Sequence, residues 1–286
     1  MNIRQALHQA SQSLTQSPSP TLDARLLLQH LLGVNHAHLI AHDTDPLPPH
    51  IEQQYQHLLS QAQQQIPIPY LIGHAPFYGR DFHVSPAVLI PRPETEELIT
   101  LTARWLKQYP HLHQPHIVDV GTGSGCIPVT LAAEFPHLHL TAIDISPDAL
   151  ALAQRNAARH QCTHRITFHH GDLLTPLTQP ADLIIANLPY VTDQEWTQLD
   201  DGVKLYEPAL ALKGGHDGLD LIRRLLTQAP KHLTSHGSIF LEIGWQQGQN
   251  ALKLAQTHFP PPYQTQLLTD FATNDRFITI TPATPS

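Results

Sequence analysis

The chain has 286 residues, 41% of them hydrophobic, with a formal net charge of −8 and no basic cluster longer than Arg223-Arg224. That length and apolar content support one large domain or two smaller ones, and the acidic balance argues against a protein that lives on phosphate backbones. No apolar run approaches the roughly 18–20 residues of a membrane helix, and "MNIRQALHQASQSL" has neither the apolar stretch of a signal peptide nor the arginine bias of a transit peptide, so a cytoplasmic protein without a membrane partner is expected.

Residues 1 to about 70 read as helical. "TLDARLLLQHLLGV" has apolar residues at helical spacing, with Thr21 as the expected N-cap and Gly33 as the stop. The proline-rich loop "HDTDPLPPH" (42–50) leads into a second helix at "IEQQYQHLLSQAQQQ". The texture changes at 66–99, where Gly73, Gly79 and several prolines punctuate short apolar runs, as in a hairpin or extended linker. "PETEELITLTARWLKQY" then starts a helix, with Pro93 in its first turn and acidic residues at the positive end of the dipole. The expected divisions are a helical domain at 1–73, a hairpin or linker at 74–90 and a main domain at 91–286.

From about 116 the pattern repeats as strand, loop and helix: "HIVDVGTGSG", "HLTAIDIS", "RITFHHGD", "ADLIIANLPY" and "GSIFLEIG". Strands alternating with helices predict a doubly wound α/β domain with a parallel sheet covered on both faces. Ser146, Pro147 and Asp148 supply a cap, a first-turn proline and an acidic first turn for the helix after the second strand. The histidine alternation at His137 and His139 fits the outward face of a strand.

The loop "VDVGTGSG" (118–125) spaces Gly121, Gly123 and Gly125 two apart, and Cys126 stands where a dinucleotide fingerprint has its third glycine. No Gly-Lys-Ser/Thr follows, so it is not a P-loop either. Asp119, Asp144 and Asp172 fall at the ends of three strands, with Thr122 and Ser124 in the loop and Leu173 after the third carboxylate. Asp144 is placed to accept both hydroxyls of a ribose, and the three carboxylates suit a nucleoside with an ammonium-bearing tail better than a pyrophosphate. That ligand description matches S-adenosyl-L-methionine. The cysteines Cys126 and Cys162 are too few for a disulfide framework, and the 22 histidines show no zinc-hydrolase spacing, so no metal is expected.

"IIANLPY" (184–190) ends an apolar strand on an amide, a turn and an aromatic ring. Together with "PFYGRDFHVSPAVLIPRPETEEL", "DVGTGSG", "AIDIS", "YEPALALKGGHDGLD" and "LEIGWQQG", it resembles the HemK/PrmC family of class I methyltransferases, which methylate a glutamine of peptide chain release factors. The resemblance implies a Rossmann-like class I methyltransferase sheet, S-adenosyl-L-methionine as cofactor with S-adenosyl-L-homocysteine as product, and a helical N-terminal domain that binds the release factor. It implies transfer to N5 of the glutamine in the Gly-Gly-Gln motif of class I release factors, with no direct nucleic-acid partner. It assigns Asn187, Leu188, Pro189 and Tyr190 to the acceptor and the reaction, and Glu94 of "IPRPETE" to the acceptor channel. Asp119, Gly121, Thr122, Gly123, Ser124, Gly125, Asp144, Asp172, Leu173 and Asn187 are assigned to the cofactor. Leu188 departs from the family's usual proline, and Asn274 in "FATNDRF" stands where a glycine is common.

The chemistry accounts for the strand ending. A glutamine amide nitrogen is a poor nucleophile, because its lone pair is shared with its carbonyl. The Asn187 side-chain oxygen and the Leu188 carbonyl are two adjacent acceptors for its two hydrogens, Pro189 fixes the turn, and Tyr190 offers a flat surface to a planar amide. The same pair suits the exocyclic amine of adenine, which leaves an adenine N6-methyltransferase acting on DNA or RNA as the alternative.

Overall fold

The computed structural model describes residues 1–283. Two compact units emerge. One comprises Met1–His74 with Asp200–Tyr206, the other Ala75–Leu199 with Glu207 onward.

The first unit is helical: α1 (Ile3–Ser13), α2 (Pro20–Leu32), α3 (His36–Ala41), α4 (Pro49–Ala62) and α5 (Ile68–Ile72). Asn2 and Gln5 close a capping box on α1. The second helix starts before the expected Thr21 cap, at Pro20, whose fixed φ suits a first helical position. The faces of α1, α2 and α4 bury Ala6, Ala10, Leu27, Leu28, Tyr55 and Leu59 together, and the Tyr55 hydroxyl donates to the Ala24 carbonyl at 2.8 Å. The segment Asp200–Tyr206 comes from the middle of the chain yet belongs to this unit, where the Tyr206 hydroxyl donates to the Gln64 carbonyl. The division at 73 leaves that segment out, because nothing in the local pattern marks a return crossing.

The second unit opens with a hairpin, β1 (His74–Phe77) and β2 (Arg80–His83), then a 3₁₀ turn at Pro93–Thr95 that runs into α6 (Glu96–Gln108). β3 (His116–Val120), α7 (Cys126–Glu134), β4 (His139–Asp144), α8 (Pro147–Arg159), β5 (Ile166–His170) and β6 (Ala181–Asn187) follow in alternation. Ser146 Oγ accepts from the Ala149 amide and caps α8 as its position suggested. His139 opens β4 exposed, whereas His137 lies in the turn before it and not on the strand.

Between β6 and the next long strand the chain forms β7 (Val191–Thr192), α9 (Asp193–Gln198), α10 (Asp201–Tyr206) and β8 (Lys213–Gly215). It continues through α11 (Asp220–Gln228), β9 (Leu233–Glu242), α12 (Gly248–His258), β10 (Tyr263–Thr269) and β11 (Asp275–Pro282).

The main sheet has seven strands in the order β10-β11-β9-β6-β3-β4-β5. The expected parallel sheet comprises β9, β6, β3, β4 and β5; β11 runs antiparallel to β9 and β10 antiparallel to β11. Five residues join β10 to β11, a connection that only an antiparallel pair allows. In that turn Thr273, not Asn274, takes the left-handed conformation, with φ 65°. Val118, Ile184, Ile239, Leu225 and Ala255 pack on one face of the sheet, and Ile117, Ile185, Leu98, Trp105 and Leu131 on the other. Both faces are covered, as near-continuous apolar strands require. β3 lies at the centre of the five parallel strands with β4 and β6 on either side, so the chain reverses its strand order there and leaves a crevice above the carboxyl ends.

Candidate active site

A cavity of about 400 Å³ opens above those strand ends. Its walls come from the segment after β2 (Val88–Arg92), the loop after β3, the ends of β4 and β5, and Asn187-Leu188-Pro189. This volume falls within the range of small-molecule sites.

The glycine loop is held from below by β4: the Gly121 and Thr122 amides both donate to the Ile143 carbonyl, at 2.8 and 3.0 Å. Gly121 has φ +77°, and a Cβ there would meet Leu188 Cδ2 at 3.1 Å, so the loop lies directly on the buried Leu188 side chain. Asn156 of α8 ties the loop from behind, donating to the Ser124 and His83 carbonyls and accepting from the His83 amide.

Asp144 ends β4 with its carboxylate already engaged. Oδ2 accepts from the Gly123 amide at 2.8 Å and Oδ1 from the Ser146 amide at 2.9 Å. Burial raises its pKa, and those backbone donors offset part of the rise. Each oxygen keeps further acceptor capacity toward the cavity it lines. Asp119 sits deeper, wholly buried and behind the cavity wall. Burial pushes its carboxyl up to about 7, partly offset by Thr122 and reinforced by the charge of Asp144. Neither Asp119 oxygen has a hydrogen bond of normal geometry among the described residues, and neither do the Thr122 and Ser124 hydroxyls. Such orphaned polar atoms under a glycine loop fit a cationic, hydrogen-bonding ligand laid across it.

Asp172 borders the cavity but is paired with the Arg224 guanidinium. Leu173, next to it, is buried with φ 50°, a backbone strain on the order of 1–3 kcal/mol for a non-glycine residue. Gly125 lies at the start of α7 against Ala153 and does not line the cavity.

Asn187, Leu188 and Pro189 line the opposite wall. Asn187 is the register partner of Glu242 across β6 and β9. Its Nδ2 donates to Thr95 Oγ1 at 3.0 Å, and Thr95 Oγ1 donates to Glu242 Oε2 at 2.7 Å. Tyr190 is set behind this wall, where burial raises its hydroxyl pKa and the Glu242 charge adds to the effect. Glu94, half-buried in the 3₁₀ turn, likewise does not line the cavity.

Several residues of the site fall inside the quoted motifs without a role being assigned to them from the sequence. Thr95 lines the cavity beside Asn187, and Glu242 stands behind both. Gln247 donates from Nε2 to the Tyr190 and Asp217 carbonyls and accepts from the Gly244 amide. Glu207, buried, accepts from the Ile90 amide and from Arg92, fastening the segment before Pro93 to the 207–211 loop. Besides its place in "LEIGWQQG", a carboxylate inside an otherwise apolar strand, "SIFLEIG", was a signal for Glu242. Among the described residues no cluster of His, Cys, Asp and Glu could hold a metal ion, and both cysteines are buried and free.

A parallel sheet with an antiparallel β10–β11 hairpin, a glycine loop after its central strand and an Asn-x-Pro-Tyr strand end define a methyltransferase of the Rossmann-like type. Residues 100–209 match the methyltransferase small domain and residues 5–73 the PrmC N-terminal domain. The chain is 42% identical to a release factor glutamine methyltransferase of Koribacter versatilis over 86% of its length and 87% of the relative. It is 35% identical to one from Bacillus cereus, over 97% of this chain and 98% of that one. A methyltransferase from Pyrococcus furiosus, 18% identical, shares the fold over 79% of this chain and all of that one with a TM-score of 0.53. The chain belongs to the release factor glutamine methyltransferase family.

Proposed function

We propose that this protein transfers a methyl group from S-adenosyl-L-methionine to N5 of the glutamine in the Gly-Gly-Gln motif of class I release factors. The observation that carries the reading is the Asn187 side chain, whose Nδ2 is committed to Thr95 so that Oδ1 is the end left for an acceptor. When bound, S-adenosyl-L-methionine supplies an electrophilic methyl on a sulfonium and leaves as S-adenosyl-L-homocysteine.

The glycine loop Gly121–Gly125 takes the close approach of the amino-acid portion, with Asp119 behind it as the countercharge. Asp144 receives the ribose, and Asp172 with Leu173 borders the base. Asn187 Oδ1 and the Leu188 carbonyl accept the two N–H bonds of the glutamine amide and turn its π face toward the methyl. Pro189 and Tyr190 shape the slot for the planar amide, and Glu94 contributes negative charge nearby. These groups act by orientation and by preorganised electrostatics as positive charge passes from sulfur to nitrogen, each able to supply several kcal/mol. The proton leaves from the acidic methylated product, so no residue is needed as a base before transfer.

The helical unit is the proposed release-factor-binding part, on the strength of its match to the PrmC N-terminal domain. A partner in translation termination would place the protein in the cytoplasm. The adenine alternative finds no support at the cavity, where the guanidiniums of Arg92 and Arg224 are both paired to carboxylates and offer no free charge to a phosphate backbone.

The test is peptide mass spectrometry of a purified, unmethylated class I release factor after incubation with the protein and S-adenosyl-L-methionine. One methyl on the Gly-Gly-Gln glutamine is the expected result. A cofactor-bound, folded preparation that leaves that residue unmodified would overturn the reading.

A further inference from the structure

From Thr95 at the cavity lining, a buried polar chain runs back to Glu242, and the transfer chemistry does not itself require it. Glu242 is 1% exposed and Thr95 3% exposed, and both stand on elements distinct from β6. An ionised Glu242 can only accept, so the Thr95 hydroxyl spends its single proton on Glu242 Oε2 at 2.7 Å. The Thr95 oxygen then has only lone pairs to offer Asn187, 3.0 Å away, and must receive an N–H from it. The side chain of Asn187 is thereby fixed in one of its two amide orientations.

We propose that Glu242 and Thr95 are positioning residues that lock the Asn187 amide with its carbonyl oxygen toward the acceptor. The inference rests on the methyl-transfer reading above and deepens it. A flipped Asn187 would present an NH₂ group to the glutamine nitrogen, donor against donor, and could not hold the nucleophile. The chain also polarises in one direction, from amide to hydroxyl to carboxylate, and such chains strengthen their members cooperatively.

The charges around Glu242 are few and mixed. Arg276 of β11 favours its ionised form, while Glu94 in the 3₁₀ turn opposes it; the Thr95 hydrogen bond and the nearby Asn187 amide favour it. Tyr190, beyond β6, and Cys126, at the start of α7, also sense its charge. Burial pushes the Glu242 carboxyl up to about 7. Protonation would let the carboxyl donate to Thr95, reverse the chain and release Asn187 to flip.

The experiment compares Thr95→Val, Thr95→Ser and Glu242→Gln with the unaltered protein, using a release factor as acceptor. Thr95→Val is expected to lower kcat by ~10–100-fold with cofactor affinity and thermal midpoint nearly unchanged, and Thr95→Ser to restore most of the loss. The kcat profile of the unaltered protein should fall on the acid side of about 7, and Glu242→Gln should flatten that limb. Equal kcat in Thr95→Val, or a Thr95→Ser variant as impaired as Thr95→Val, would overturn the proposal. A second readout needs no acceptor: the Asn187 side-chain amide protons should be protected from exchange by NMR in the unaltered protein and lose that protection in Thr95→Val. Absent protection in the unaltered protein would sink the positioning role by itself. Protection without any methyl transfer to the release factor would instead remove the substrate reading and leave the locked amide standing.

Discussion

Gln247 donates from Nε2 to the Tyr190 carbonyl at 2.7 Å, and the same amide reaches the Asp217 carbonyl and the Gly244 amide. One buried side chain thus staples the acceptor loop, the Gly214–Gly218 loop and the end of β9. The fit is close: a Cβ on Gly218, whose φ is +72°, would meet Gln247 Nε2 at 2.0 Å and the Tyr190 oxygen at 2.2 Å. Gln247→Ala leaves buried backbone groups unpaired, each costing about 1–3 kcal/mol. The expected outcome is a lower thermal midpoint and a higher KM for the release factor, with cofactor affinity retained in a calorimetric titration. A variant with unchanged KM and midpoint would mean that the loops hold their places without the staple.

Asn187→Ala and Asp144→Ala should separate the two halves of the site. Asn187 lines the cavity, is anchored through Thr95 and is the proposed holder of the acceptor amide, so its loss should abolish most transfer while cofactor affinity stays largely intact. Asp144 grips Gly123 and Ser146 and faces the cavity, so its removal loosens the glycine loop and weakens cofactor binding by roughly 10–100-fold, the loss of charge-assisted hydrogen bonds. Equal cofactor affinity in Asp144→Ala, measured by calorimetry, would refute its assignment.

Asp119 makes a prediction in pH. Burial lifts its carboxyl from the ordinary 3.8 to about 7. A raised acid favours folding most below its unfolded pKa and loses that advantage as pH climbs through the folded value. Relative to Asp119→Asn, the unliganded protein should therefore lose stability between about pH 4 and 7 and level off above, by up to roughly 4 kcal/mol. Thermal midpoints of the two proteins across that range give the difference directly, and a flat difference would contradict it. A cationic ligand favours the ionised carboxylate, so cofactor affinity should rise with pH through the same window in the unaltered protein and not in Asp119→Asn.

The strand-loop-helix alternation was legible because each strand, from "HIVDV" to "ADLIIAN", is an apolar run closed by a turn residue, and α8 announces itself with Ser146-Pro147. β10 was not, because "YQTQLLT" is a half-exposed edge strand in which glutamines and threonines alternate with few apolar residues. The membership of Asp200–Tyr206 in the helical unit was equally hidden, since long-range packing leaves no local period. At the site, many residues that line the cavity stand in recognisable strings such as "DVGTGSG" and "NLPY". Thr95, Glu207, Glu242 and Gln247 lie inside quoted strings too, but their pairing was hidden: Thr95 and Glu242 stand 147 positions apart and become partners only in the fold.

Leu188 and Gly121 should prove energetically coupled. Leu188 is buried in the sheet core, and its Cδ2 is the atom a Cβ on Gly121 would strike first, at 3.1 Å, on a backbone already at φ +77°. Gly121→Ala therefore combines left-handed strain with overpacking, together on the order of 2–4 kcal/mol, and pushes the loop toward the cofactor space. Leu188→Pro, which restores the residue more usual in the family, shortens the side chain and should relieve the contact part of that cost but not the strain. In a double-mutant cycle on urea midpoints the pair should therefore lose less than the sum of the singles, by about 1 kcal/mol. Strict additivity would mean that the glycine loop and the acceptor loop, though in contact, move independently, and that Leu188 serves only through its backbone carbonyl.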